Sequence, residues 1–120
     1  MYTDENSLFL LLNSALTTKT GTITNISTKI SQNNSWVKKC GNIVSLQINA
    51  GLKTTLASGD ILFTLPQDFK PNSDRDIQFF LTINAKNVLI DIGKDTGNVI
   101  IRGDFSASTW ITGLITYIAL

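Results

Sequence analysis

Residues 77–102 read IQFFLTINAKNVLIDIGKDTGNVIIR, which is three apolar runs separated by two polar turns. Within these runs large apolar side chains recur at every second residue, a period that places them on one face of a β-strand. The turns at 84–87 and 94–97 contain Asn, Asp and Gly, residue types that favour tight reversals of the chain. The segment therefore predicts three consecutive antiparallel strands. The residues predicted to share the core face are Ile77, Phe79, Leu81, Ile83, Val88, Ile90 and Ile92.

The same alternation appears earlier in the chain. Val44, Leu46 and Ile48 alternate with polar residues, directly after a tight hairpin signal at 40–42. From Gly21 onward the chain carries roughly eight short apolar runs at intervals of about ten residues, and no helical period is visible. This organisation predicts an all-β fold, an antiparallel β-sandwich or a jelly-roll-like domain.

Both prolines of the chain, Pro66 and Pro71, flank a short segment that contains Phe69. Proline donates no backbone hydrogen bond, so this segment is predicted to form an edge or a corner of the sheet. We expect Phe69 to fold back as an anchor at that corner.

Composition excludes several functional classes. The chain of 120 residues has no His and one Cys, which removes His-based catalytic relays, His-ligated metals, an internal disulfide and Cys-rich zinc sites. Asp91 and Asp95 lie on a predicted strand and in a turn, and nothing in the sequence fixes them as a pair of glycosidase carboxylates. The net charge of +1 is too small for a typical nucleic-acid binder. We therefore expect no enzyme activity, no cofactor, no metal and no nucleic-acid partner.

The chain is predicted to divide into an N-terminal linker or short helix over 1–20 and a β-sandwich head domain over 21–120. The longest apolar run near the start is Leu8–Leu12, only five residues, whereas a membrane-spanning helix needs about 20. No membrane partner is expected.

The last predicted strand is apolar on both faces. Between Thr109 and Leu120, one face would carry Trp110 and Leu114 while the other would carry Ile111 and Ile115. Two interpretations are open: the strand is central and covered on both sides, or its second face meets another subunit. The subunit interface is favoured, because a domain of this size has little material left for a second cover.

Trp36, Trp110 and Tyr117 are the aromatic residues with polar tips after the first segment. Such residues more often belong to a core or an interface than to a ligand site. Sugar-binding proteins nevertheless stack pyranose rings on aromatic side chains and bind the hydroxyls with Asp, Asn and Arg.

Several motifs, in order, resemble one protein family. They are Trp36-x-x-x-Cys-Gly-Asn-x-Val44, Gly59-Asp60 followed by Leu65-Pro-x-x-Phe-x-Pro71, Val88-Leu-Ile-Asp-Ile92, a turn with Gly97, Val99-Ile-Ile-Arg-Gly103, and Trp110 with a closing strand to Tyr117. Over residues 21–120 the chain is similar to the C-terminal head domains of tail-tip, baseplate and tail-fibre proteins from phages and prophages of Gram-positive bacteria. The resemblance implies a trimeric β-sandwich head on a virion appendage, which binds cell-wall saccharide near subunit boundaries.

One departure concerns the sugar site. The receptor-binding heads of lactococcal phages carry His-Ile-Asp-Ile on the strand before the glycine turn and a Trp on the strand after it. Here Asp91 matches the Asp, Leu89 stands at the His position and Arg102 at the Trp position. Asp91 and Arg102 are thus predicted either to bind sugar hydroxyls in a different arrangement or to form a structural cross-strand pair.

The predicted function is non-enzymatic host recognition at an extracellular tail tip or baseplate of a virion. The predicted ligand-binding residues are Asp91 and Arg102, with Trp110 or Tyr117 as a stacking or interface aromatic. The predicted partners are two further copies of the chain, a bacterial cell-wall saccharide and other baseplate or tail proteins. The alternative is a structural trimerising domain of a tail fibre or upper baseplate protein that has no ligand of its own.

Overall fold

The computed structural model describes residues 18–119, in which nine strands form two antiparallel sheets. The strands are β1 (Thr18–Gly21), β2 (Ile30–Asn33), β3 (Trp36–Cys40), β4 (Ile43–Leu52), β5 (Ile61–Thr64), β6 (Ile77–Ile83), β7 (Lys86–Ile92), β8 (Asn98–Arg102) and β9 (Trp110–Ile118).

The first sheet, sheet A, is built around β4. Strands β2 and β3 lie end to end along one side of β4, because residues 34–35 interrupt the pairing between them. Strand β1 pairs with β3, and β9 pairs with the other side of β4 along nine residues, from Ile43↔Ile118 to Gly51↔Trp110. The hairpin between β3 and β4 turns at Gly41, whose φ of 60° lies in the left-handed region that glycine adopts without strain. This is the turn predicted at 40–42.

The second sheet, sheet B, has the strand order β5-β8-β7-β6. Strands β6 and β7 are joined by the two-residue turn Asn84-Ala85, and both of these residues have positive φ. Positive φ at both central positions is the turn geometry that matches the twist of a hairpin. The three strands predicted within 77–102 are thus formed. Strand β7 starts at Lys86, inside the segment predicted as the turn at 84–87.

The core lies between the two sheets. Val44, Leu46 and Ile48 of sheet A are fully buried, as are Ile90 and Ile92 of sheet B. The residues that alternate with them point outward, which is the arrangement expected for two packed antiparallel sheets. The predicted all-β, sandwich-like fold is confirmed.

The segment between the prolines forms the predicted corner. A single 3-10 turn, Gln67–Phe69, buries the Phe69 ring completely, and Pro71 pairs with Ala119 at the end of β9. Phe69 is therefore the anchor that the sequence predicted.

One segment differs from the prediction, and another lies outside the described residues. Ile26, Thr28 and Ile30 share one parity, which is the pattern of a strand, but β2 begins only at Ile30. Before that point the backbone crosses the open edge of β5, where Ser27 N–H donates to the Leu62 carbonyl at 2.9 Å. Most of the predicted N-terminal helix or linker lies outside the described residues, and β1 starts at Thr18, before the predicted domain boundary.

Among residues 18–119 there is no helix with the length and apolar character that crossing a membrane requires.

Candidate functional site

The structure places the four predicted ligand-binding residues in three different environments. Asp91 and Arg102 lie together on the outward face of sheet B. Trp110 lies on the outward face of sheet A, on the opposite side of the sandwich, and Tyr117 is buried between the sheets. A single protomer therefore brings together two of the four residues.

The outward face of sheet B around Asp91 is here named the Asp91 face. Asp91 on β7 is opposite Ile100 on β8, so Arg102 is its diagonal neighbour. Arg102 Nε donates a hydrogen bond to Asp91 Oδ2 at 2.7 Å. The Arg102 side chain is 43% exposed and that of Asp91 only 10%. The pair thus combines a shielded carboxylate with a guanidinium that is still in contact with solvent.

The second carboxylate oxygen of Asp91 is the unusual atom of this face. Oδ1 is buried, and no donor in the described part of the chain forms a hydrogen bond to it. Buried polar atoms nearly always have a partner, because leaving one without a partner costs about 1–3 kcal/mol. Oδ1 is therefore the acceptor on this face that gains most from a donated hydrogen bond.

An exposed aromatic residue lies on the same face, on the strand that neighbours Asp91. Phe80 on β6 is opposite Leu89, and Gln78 is opposite Asp91, so Phe80 is diagonal to Asp91 on the same face. Diagonal neighbours are close enough for an aromatic side chain to reach across. Phe80 is 75% exposed. Phe80 is not among the predicted site residues, although its parity with Gln78 and Thr82 predicts that it points away from the core.

Tyr117 is a core residue and not a ligand platform. Its hydroxyl donates a hydrogen bond of 2.6 Å to the carbonyl of Phe69, and its ring contacts Phe79 with the centroids 6.4 Å apart. Burial raises the pKa of the Tyr117 phenol well above its ordinary value. Tyr117 therefore ties β9 to the proline corner, and the prediction that it binds a ligand receives no support from its position.

The outward face of sheet A is here named the Trp110 face. The six-membered ring of Trp110 lies over Gly51, where an added Cβ would be 3.0 Å from its Cε2 and Cζ2 atoms. Five large apolar residues are exposed on this face: Trp36, Ile43, Trp110, Leu114 and Ile118. A shallow depression of about 230 Å³ lies between β3 and β4, and Cys40 is part of its lining.

The exposure of β9 excludes one of the two interpretations of the last strand. β9 pairs only with β4 along its length, and its outward face is uncovered by any residue of 18–119. Leu114 and Ile118 remain 59% and 63% exposed. The interpretation that β9 is a central strand covered on both sides is therefore wrong for the described chain, and the subunit interface stays a prediction.

Carboxylates in residues 18–119 are dispersed. No group of three or more Cys, Asp or Glu side chains in this range is placed to hold a metal ion. Asp95 is exposed and pairs with Lys94 at 3.0 Å, whereas Asp91 pairs with Arg102. The two carboxylates have separate partners.

Comparison with models of known families, with curated proteins and with solved structures finds no match to this chain. The two outward faces and the sequence resemblance therefore carry the functional inference.

Proposed function

We propose that this chain is a host-recognition head domain of a phage or prophage tail, which binds a bacterial cell-surface saccharide at the Asp91 face without chemical turnover. The observation that carries the proposal is the buried carboxylate of Asp91, with one oxygen bound by Arg102 and the other without a hydrogen-bond partner among residues 18–119. The virion tail location and the trimeric state come from the sequence resemblance and form part of the proposal.

The chemistry of the Asp91 face suits a sugar. A sugar hydroxyl donates to a carboxylate oxygen and accepts from a guanidinium, so adjacent hydroxyls match Asp91 Oδ1 and the exposed part of Arg102. The apolar face of a pyranose ring packs against an aromatic ring, and Phe80 offers one beside the carboxylate. Because Oδ1 is covered in the free protein, a bound hydroxyl must displace one of the side chains around it.

The site is small, so a single copy is expected to bind weakly. Repeated sites on one virion gain by avidity what each lacks in affinity, because the second contact becomes intramolecular. This is why a shallow saccharide site fits a multimeric tail protein.

A structural module is the second candidate function. The Trp110 face favours it, because five exposed apolar side chains on one sheet are typical of a protein contact and contribute nothing to binding a sugar at the Asp91 face. In this case the chain holds a fibre or baseplate together and the Asp91–Arg102 pair is a structural cross-strand pair.

A cell-wall pull-down separates the two candidates. Wild-type protein is expected to sediment with purified walls of Gram-positive bacteria, and Asp91→Asn is expected to weaken this binding at least tenfold, since it removes the charged acceptor. Phe80→Ala is expected to weaken binding by a similar factor, because the ring is exposed and its loss leaves the core intact. Binding is measured as the bound fraction against wall concentration.

Asp95→Asn is the matched control, since it removes the same charge from an exposed side chain in the neighbouring turn. It should bind like the wild type. If wild-type protein binds no wall preparation, the structural module is the better account. Wall binding that survives Asp91→Asn unchanged would remove the proposed site.

A further inference from the structure

We infer that the Trp110 face is the docking surface for an apolar run of the same molecule, Leu8–Leu12, which lies outside the described residues. The contact is within one chain and involves no second copy. The inference does not rest on saccharide binding, because the Trp110 face and the Asp91 face lie on opposite sides of the sandwich.

The Trp110 face carries apolar side chains that no residue of 18–119 covers. On β9 the inward residues Ile111 and Ile115 are buried in the core. The outward residues Trp110, Leu114 and Ile118 are each about half exposed or more. A strand with solvent on its second face normally carries polar residues there. The pattern therefore indicates that this part of the sheet has a cover.

The first described strand lies at the border of this face. Thr18 on β1 is opposite Cys40 on β3. Cys40 is in turn opposite Ile43 on β4, which is opposite Ile118 on β9. Residues directly opposite each other in antiparallel strands point to the same side of a sheet, so these four residues form one row across the Trp110 face. Thr18 and Ile43 both line the shallow depression of about 230 Å³. The chain before Thr18 therefore enters the sheet in the same row as two exposed isoleucines.

The connection between the run and β1 has the length that this contact needs. Neighbouring strands lie about 4.8 Å apart, so three spacings place Ile118 roughly 14 Å from Thr18. Residues 13–17 separate Leu12 from Thr18, and an extended chain spans at most about 3.6 Å per residue, or roughly 20 Å over this distance. Leu12 can therefore reach any residue of the row.

The short connection also favours the chain's own run over a neighbouring molecule. Two groups joined by a short linker meet at an effective concentration of the order of millimolar. A second copy at micromolar concentration competes poorly with a run that is tethered this closely.

The run and the face are complementary in chemistry. Residues 8–12 read LFLLL, five large apolar side chains without a charge. The side chains that β3, β4 and β9 turn outward include no carboxylate, and Lys38 carries the single charge among them. Docking the run over Ile43 and Ile118 thus removes apolar surface of both partners from water and places no carboxylate in the contact.

Labelling of Cys40 by a maleimide tests the inference on the full chain. Cys40 is the one cysteine of the chain, lies in the row and is partly exposed in the described part of the protein. The double variant Leu10→Asp/Leu12→Asp is expected to react about tenfold faster than the wild type, because labelling no longer waits for the run to leave the face. Circular dichroism checks that the sheets are intact.

Asn13→Asp/Ser14→Asp is the matched control, since it adds the same two carboxylates to the same segment at polar positions. It is expected to react like the wild type. Equal rates in the wild type and Leu10→Asp/Leu12→Asp would overturn the inference. Wild-type protection that increases with protein concentration would assign the cover to a second copy and overturn it as well.

A measurement on the wild type alone gives a second readout that needs no variant. In methyl-labelled protein we expect nuclear Overhauser contacts between the leucine methyl groups of residues 8–12 and those of Ile43 and Ile118. A mixture of labelled and unlabelled copies should show no such contacts between different molecules. Absence of the contacts in the uniformly labelled protein, or their presence between differently labelled copies, would contradict docking within one chain.

Discussion

Replacement of Arg102 by leucine is expected to lower the free energy of unfolding by about 2–3 kcal/mol. The change leaves the carboxylate of Asp91 buried with neither oxygen paired within residues 18–119, because Oδ1 already has no partner there and Oδ2 loses the one from Arg102. The value lies below that of a fully buried pair, because the Arg102 side chain is 43% exposed. Urea denaturation at neutral pH measures the loss.

The double variant Asp91→Leu/Arg102→Leu is the control for this prediction. It removes the isolated charge, and the neighbouring Leu89 and Ile100 on the same face offer apolar contacts to the new side chains. We expect it to regain most of the stability, as replaced buried ion pairs often do. A double variant as unstable as Arg102→Leu would show that the charge of Asp91 is not the cause.

Replacement of Tyr117 by phenylalanine is expected to cost about 2 kcal/mol at neutral pH. The variant leaves the carbonyl of Phe69 without the buried hydroxyl that donates to it at 2.6 Å. Thermal or urea unfolding of the two proteins gives the difference.

The same pair of proteins tests a pH dependence. Burial raises the pKa of Tyr117 above its ordinary value of 10.0, so the fold favours the neutral phenol. The stability that this residue contributes is fully present below pH 10.0 and decreases as the pH rises above it. The advantage of wild type over Tyr117→Phe should therefore shrink above that pH. A constant difference would mean that the phenol ionises equally well in the folded and unfolded states.

Local pattern predicted much of this fold. The alternation in 77–102 and around Val44–Ile48 assigned each side chain to a face, because the period of a strand is a local property. The exception is the segment around Ile26, which alternates like a strand. There Asn25 has a φ of 51° and Ile30 N–H closes a turn onto the Ser27 carbonyl, so the chain bends across the edge of β5.

The candidate site was harder to predict than the fold. Parity assigned Asp91 to the face away from the core, but it made no such assignment for Trp110, because the last strand is apolar on both faces. Parity also cannot state which sheet a strand joins, since that depends on pairing between distant segments. The sequence therefore predicts Trp110 and Asp91 in one ligand site, whereas the structure places them on opposite sides of the sandwich. Phe80 alternates with core residues and shares its face with Gln78 and Thr82. It is the aromatic residue diagonal to Asp91.

We propose that saccharide binds on sheet B beside Asp91. An amide NMR titration of ¹⁵N-labelled protein with soluble cell-wall saccharide tests it most directly. We expect shifts that grow with ligand concentration at Phe80, Asp91 and Arg102, while Trp110 on the opposite face stays unchanged. Shifts confined to Trp110 and its neighbours on sheet A, with none around Asp91, would rule out the proposed saccharide site.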